Sequence, residues 1–301
     1  MKISGFTIAR NADKLYFPIR ESIMSILPLV DEYIIAIDKG DEDDNTLRII
    51  EQINSPKIKI HHRKWSEESF NESRILAEES NYALSQCSGD WCFYLQADEV
   101  IHENDHPVIM ESCEQFYNDQ GIDGLLFKYH HFWGDYNHHL PYHGWYNNEI
   151  RIIRNRRNIV SIKDAQSFRK ANGSKLRVKP LNAYVFHYGW VRPPHLMQSK
   201  KRVHDGLHVG VEKANEAYNQ KEKCYDYGPL GRIPHFQGTH PHIMRQRIKV
   251  LDWKDLLNYS RSWIPKRPLN KHEKWRYRAI SWIENNLLGQ RQIFGYKNWK
   301  L

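Results

Sequence analysis

Nowhere in the 301 residues does an apolar run approach the ~18 residues that span a bilayer, and the mean hydropathy is −0.74. A membrane-spanning helix is not expected. Cysteine is scarce: Cys87, Cys92, Cys113 and Cys224 are the full complement, with no C-x-x-C pair and no zinc-ribbon spacing. Free thiols in a reducing cytoplasm are therefore expected. The first strand reaches Arg10 and Asn11 before an apolar signal core could form, so no secretory signal is expected. Glycine is also sparse, and Thr7 to Lys14 contains none. That removes the glycine-rich phosphate loop a nucleotidyltransferase would need soon after its first strand. No internal repeat or low-complexity segment is visible.

What is present describes a folded chain. Apolar residues make up 40% and aromatics 13%, too many for a disordered polymer. The length suits one large domain or two small ones. Lys and Arg number 44 against 36 Asp and Glu, a net charge of +8, and 17 His add positive charge at lower pH. A polyanionic partner suits that balance.

The first half alternates β-rich runs with helical spacing. Lys2 to Ile8 reads as a strand, and Leu15, Ile19, Ile23, Ile26 and Leu27 then recur at helical intervals. Tyr33 to Ile37 is a second strand ending at Asp38, with a helix around Thr46 to Ile53, and Ile58 to His61 is a third. Asn71 to Gln86 reads as a helix, and Trp91 to Leu95 as a fourth strand running into Gln96-Ala97-Asp98-Glu99. Such alternation predicts an α/β fold with a parallel sheet wrapped by helices. In open sheets of this kind ligands sit beyond the carboxyl ends of the strands, where Asp38 and Asp98 fall.

Strands are also predicted at Gly124 to Tyr129, Glu149 to Arg154 and Ala183 to His187, as additions to the same sheet. From His195 the chain turns basic and helical, over His195 to Tyr218, Ile243 to Asn258 and Lys271 to Leu288, with Pro265 and Pro268 breaking the last two apart. Residues 1–190 and 191–301 are the expected divisions.

Phe6-Thr7-Ile8-Ala9-Arg10-Asn11, the segment Asp31 to Asp38 with Asp41, Asp44 and Thr46, and Gly89 to Glu99 together resemble family 2 glycosyltransferases. The nearest flavour is the bacterial enzymes that build lipopolysaccharide and other surface glycans. The resemblance covers roughly residues 1–190 and implies the GT-A nucleotide-sugar-binding fold, a Rossmann-like mixed sheet flanked by helices, here with a helical basic C-terminal extension.

By position, the resemblance implies that Thr7, Ala9, Arg10 and Asp38 hold the base and ribose of a UDP- or GDP-linked sugar, with Arg74 and Gln96 as further donor contacts. Gln96-Ala97-Asp98 occupies the place of the family's D-x-D motif, where a hard divalent cation, Mn2+ or Mg2+, offsets the charge of the departing diphosphate. Gln96 departs from that pattern and brings no charge. Asp98 is then the main metal ligand, and His187, late in the resembling region, is the second.

An inverting transfer also needs a general base for the acceptor hydroxyl. Glu149 is the first choice and Asp164 the second. The aromatics from Phe132 to Tyr146 suit stacking on an acceptor glycan, or ordinary packing. Basic residues mixed with tryptophans after residue 195 suit peripheral contact with an anionic membrane presenting a lipid-linked acceptor. No RNP-like, helix-turn-helix or KH pattern supports nucleic acid. The function implied is sugar transfer in surface polysaccharide synthesis, at the inner face of the membrane. The alternative is a nucleotide- or glycan-binding module that kept the fold without the chemistry, and Gln96 is the feature that favours it.

Overall fold

The computed structural model describes residues 1–66, 69, 74–209, 211–219, 223–289, 292, 293, 295 and 297–301. β1 (Ile3–Ala9) leads through a turn-rich stretch to α1 (Ile19–Ile26), followed by β2 (Glu32–Asp38), the short α2 (Thr46–Glu51), β3 (Ile58–Arg63), α3 (Ile75–Ser85) and β4 (Trp91–Tyr94). The helix expected from Leu15 starts four residues later, directly after Pro18. A residue preceding proline is pushed out of the α region, so the periodic pattern cannot become helix until the proline is passed. Ile19, Ile23 and Ile26 then bury one face of α1. The predicted start of α3 at Asn71 lies outside the described residues.

Next come β5 (Glu99–Ile101), α4 (His106–Gln115), β6 (Gly124–Trp133), β7 (Asn148–Arg154), the hairpin of β8 (Ile159–Ile162) and β9 (Ser167–Lys170), and the long β10 (Leu176–Trp190). The C-terminal part contributes α5 (Pro194–Val209), α6 (Val211–Asn219), α7 (Arg245–Lys249), α8 (Trp275–Asn286) and β11 (Trp299–Lys300). The helix expected over 243–258 shrinks to the five residues of α7. Met244, Trp253 and Leu257 are each buried in one aromatic cluster, and Trp253 Nε1 donates to Gly134 O at 2.9 Å. A continuous helix could not deliver residues at that spacing to one wall, and short 3-10 turns do so instead.

The main sheet runs β11-β10-β6-β7-β4-β1-β2-β3, with β5 paired to β10. β1, β2, β3 and β4 are mutually parallel. β7 is antiparallel to both β4 and β6, and β10 is parallel to β6. It follows that β6 and β10 run in the direction of β1 to β4, and that β7 runs against them. One edge of the sheet therefore collects the carboxyl ends of six strands and the start of β7 at Asn148.

Both faces of the sheet are covered. Tyr33, Ile35 and Ile37 of β2 enter one core and Ile34 and Ala36 the other, the period-two partition of a strand buried on both sides. A third, aromatic core joins Phe132, Trp133 and Tyr136 to Phe186, Tyr188, Tyr227, Leu230 and Trp253, so residues before and after position 190 share it. All four cysteines are free, and Cys224 alone is exposed. Among the described residues no helix is long and apolar enough to cross a membrane.

Candidate active site

Asp38 ends β2, where its carboxylate organises two loops. Oδ1 accepts from Gly40 N at 2.9 Å and faces Arg10 Nε at 3.3 Å, while Oδ2 accepts from Trp65 N at 2.8 Å. The Arg10 guanidinium lies over the Trp65 ring, 5.6 Å from its centroid. Trp65 is a partner of Asp38 and Arg10 that sequence reasoning did not name. Ala9 is buried at the end of β1, opposite Ile37. Thr7 is different: it is fully buried and its hydroxyl donates to Leu95 O at 2.6 Å, so it ties β1 to the end of β4 instead of presenting a group to a ligand. Arg74 stands exposed at the start of α3, 3.4 Å from Glu78.

The acidic run after Asp38 turns back onto the preceding loop. Lys14 Nζ meets Asp41 Oδ2 at 2.8 Å and Asp43 Oδ1 at 2.6 Å, and Lys14 N donates to Asp44 Oδ1 at 3.1 Å. Those carboxylates are a clamp between loops, as an ordinary solvated turn would use them.

Asp98 reaches its neighbours through the β5–β10 pairing. Glu99 lies opposite His187, and Tyr188 N donates to Asp98 O at 2.8 Å. This register sets Asp98 Oδ2 at 3.5 Å from His187 Nε2. Between them is Gly189. A Cβ at that position would come within 2.5 Å of Asp98 Oδ2 and 2.6 Å of His187 Nε2, so only glycine lets the carboxylate and the imidazole approach each other this closely against the backbone. Burial by itself would raise the Asp98 carboxyl, but the charges of His187, Lys200 and Arg192 outweigh it and hold the group well below the usual carboxylate range.

Lys200 and Arg192 bring that positive field from the start of α5 and the loop before it. Lys200 Nζ and Arg192 Nη2 both donate to Gly189 O, at 2.8 and 2.9 Å. Burial, reinforced by Arg192, pushes the Lys200 ammonium down to about 7. Neither residue stood out in the sequence, because each belongs to a long basic region and only the turn after β10 aims them at this edge.

The loop carrying Gln96 to Asp98 is braced from inside. Arg151 and Glu99, both fully buried, form a bidentate pair with two 2.7 Å bonds. Tyr129 Oη donates to Glu99 Oε1 at 2.8 Å, and Gln96 N to Glu99 Oε2 at 3.1 Å. Gln96 itself extends its amide Nε2 to Ala165 O at 3.3 Å, so it links the loop to the β8–β9 turn.

Glu149, at the start of β7, is 1% exposed. Gln166 Nε2 donates to its Oε1 at 2.8 Å, and Oε2 has no hydrogen-bond partner among the described residues. Burial pushes its carboxyl up to about 7 against the opposing pull of Arg151. Asp164 is half-buried in the β8–β9 turn, between Lys163 at φ 56° and Ala165 at φ 58°. Two consecutive-but-one non-glycine residues in the left-handed region store strain that the docked turn holds in place.

The residues present fit a divalent cation in part. A carboxylate oxygen and an imidazole nitrogen lie 3.5 Å apart, a donor pair that would suit Mn2+ better than Mg2+ and would leave its other positions to substrate oxygens and water. Among the described residues no group of three His, Cys, Asp or Glu side chains gathers to cage a metal without substrate.

The aromatic loop takes the packing role. Phe132, Trp133 and Tyr136 are buried in the third core against Tyr188, Trp190 and Trp253, whereas Tyr142, Trp145 and Tyr146 of the same stretch are half-buried.

No protein-family model matches this chain, and no curated protein matches it. Among solved structures it is similar to Staphylococcus aureus TarS residues 1–349 in complex with UDP-GlcNAc, at 14% identity and a TM-score of 0.40 over 72% of this chain and 70% of that one. It is also similar to glucosyl-3-phosphoglycerate synthase from Mycobacterium tuberculosis in complex with Mn2+, UDP and glucosyl-3-phosphoglycerate. There the identity is 21% and the TM-score 0.29, over 44% of this chain and 45% of that one. Likenesses of this extent leave the functional argument to the site itself.

Proposed function

We propose that this chain is a GT-A-type inverting glycosyltransferase that takes its sugar from a nucleoside diphosphate sugar. The observation that carries the reading is the pairing of Asp98 and His187 beside Gly189, on the same sheet edge as the cluster of Asp38, Arg10 and Trp65. A nucleotide seated on the carboxyl ends of β1 and β2 would have its base and ribose at Asp38 and Trp65 and its diphosphate directed towards Asp98. Arg74 and Gln96 would be further donor contacts.

Asp98 and His187 would hold a divalent cation, which when bound supplies positive charge for the departing diphosphate. Lys200 and Arg192 add to that charge from the chain itself. On the other side of the sugar, a base must touch the acceptor hydroxyl, and burial decides between the two candidates. Glu149 is sealed behind Gln166, whereas Asp164 reaches solvent on a turn that Gln96 ties to the donor loop. Asp164 is thus the preferred base and Glu149 a support for the hairpin, the reverse of the order the sequence suggested. The acceptor oxygen bonds to the anomeric carbon, its proton passes to Asp164, and the carbon–oxygen bond to the diphosphate breaks with the electron pair leaving on the nucleotide.

The acceptor would be met by the C-terminal part. Trp275 and Trp282 on α8 are 76% and 59% exposed, amid Lys271, Lys274, Arg276 and Arg278. Exposed indoles beside cations favour an anionic lipid surface, which supports a lipid-linked acceptor of surface polysaccharide synthesis at the inner face of the membrane. A second reading, a nucleotide-binding module without turnover, draws on the uncharged Gln96 and the two-donor cation site.

Thermal unfolding with UDP and with GDP, each with and without Mn2+, tests the proposal, since a ligand bound only by the folded chain raises its stability. A rise that needs nucleotide and Mn2+ together is expected. No response to either nucleotide would overturn the donor assignment, and binding without hydrolysis or transfer of any UDP- or GDP-sugar would favour the second reading.

A further inference from the structure

One face of α8 meets a basin instead of the core. Arg278, Trp282 and Asn285 recur at helical spacing and, with Tyr142, Arg232 and Arg261 from three separate loops, line an open cavity of about 630 Å³. Its lining holds three arginines and no carboxylate. The one acid of α8, Glu284, is buried and turned to His143, whose Nδ1 lies 2.8 Å from its Oε1.

The three guanidinium groups are held over one short loop. Arg261 Nε donates to Gly231 O at 3.0 Å and Arg232 Nε to Arg261 O at 2.5 Å. Arg278 Nη2 donates to Arg232 O at 3.3 Å, and its guanidinium lies 5.8 Å from the centre of the Tyr142 ring. A guanidinium has five N–H donors, so most of this donor capacity is left for a ligand. Nearby Arg267 is different, because Glu273 at 2.7 Å and Asp226 at 3.5 Å neutralise it. Among the described residues no carboxylate stands within ion-pair distance of Arg232, Arg261 or Arg278. Like charges gathered without a counter-ion repel one another, and an anion carrying more than one charge relieves that repulsion. Guanidinium forks match the oxygens of a phosphate, and a phosphomonoester carries about −1.5 to −2 near neutral pH.

The rim of the basin indicates where such a phosphate comes from. Trp282 lines the cavity and is exposed, and Ile283, Leu287 and Leu288 beside it are exposed as well. A free phosphate gains nothing from apolar neighbours, whereas a lipid headgroup brings its own interface to them. The geometry points to a headgroup site in which Arg232, Arg261 and Arg278 receive the terminal phosphate or diphosphate of a lipid, with Trp282 seated at the interface. This rests on the membrane reading proposed above and adds to it a specific contact.

Co-sedimentation of the full chain with phosphatidylcholine vesicles tests it, the vesicles carrying the same fraction of either phosphatidic acid, a phosphomonoester, or phosphatidylglycerol, a phosphodiester. At about 0.15 M salt, where long-range attraction is screened, wild type should prefer phosphatidic acid by about tenfold or more. Arg278→Gln and Arg261→Gln, whose amides can keep the bond to a carbonyl oxygen, should each lose most of that preference. Arg276→Gln removes the same charge from an exposed position on α8 outside the basin. It should weaken both kinds of binding by about fivefold and keep the preference. Equal affinity of wild type for the two lipids, or the same loss of preference in Arg276→Gln, would overturn the headgroup site and leave the membrane reading standing. No binding to either vesicle even at low salt would overturn both. Glycerol 3-phosphate, the headgroup without its chains, should compete only weakly for wild type. Competition as strong as that of phosphatidic acid would assign the basin to a soluble phosphate and refute the lipid, a result that needs no variant.

Discussion

Glu149→Gln separates two roles for one carboxylate. The folded chain holds the Glu149 proton up to about pH 7 because burial penalises the anion, against an ordinary 4.5. The folded state therefore binds this proton more tightly than the unfolded state does. Its contribution to stability is full below pH 4.5 and is lost as pH rises to about 7 and beyond. At 1.36 kcal/mol per pH unit the interval corresponds to about 3 kcal/mol. Glutamine keeps the oxygen that accepts from Gln166 Nε2 and cannot ionise. In urea titrations the variant should match wild type near pH 5 and exceed it by up to about 3 kcal/mol near pH 9, where wild type must bury an anion. Sugar transfer should remain within a few fold of wild type. Asp164→Asn is the counterpart: it should bind donor normally and transfer at least about a hundredfold more slowly. Should Glu149→Gln bring no gain at pH 9, the burial argument fails. Should it slow transfer a hundredfold while Asp164→Asn remains active, Glu149 is the base after all.

Gly189→Ala would set a methyl group 2.5 Å from Asp98 Oδ2 and 2.6 Å from His187 Nε2 and so displace the pair without altering any charge, and it should abolish the Mn2+-dependent thermal shift while the protein remains folded. A preserved Mn2+ response would move the cation site elsewhere. Replacing Trp275 and Trp282 together by Ser should lower co-sedimentation with phosphatidylglycerol vesicles and leave UDP affinity unchanged, because both indoles are exposed on α8. Wild-type protein that fails to bind those vesicles at low salt would remove the membrane from the proposal.

The parallel half of the sheet was legible in the sequence because its information is local. Buried strands such as Tyr33 to Ile37 are short β-branched runs bounded by turns, whatever the chain does later. Asp38 does end β2, whereas β4 stops at Tyr94 and Asp98 falls in the turn before β5, close to the predicted strand end without closing it. The partners of Asp98 were not legible in this way. His187 is 89 residues away in number, and only the β5–β10 register brings the two together. His131, one of 17 histidines, likewise meets His187 at 2.9 Å only because β6 and β10 pair side by side. Composition misled where burial was the deciding variable: Phe132, Trp133 and Tyr136 have the makeup of a sugar platform, yet the C-terminal part covers them. The same variable separates the two carboxylates, since Glu149 and Asp164 are equally acidic in the sequence and differ in what seals them. Sequence determined the strands and the charges at their ends, because both are set within a few residues. Tertiary structure decided which of those charges meet and which reach solvent, because distance and burial are properties of the whole sheet.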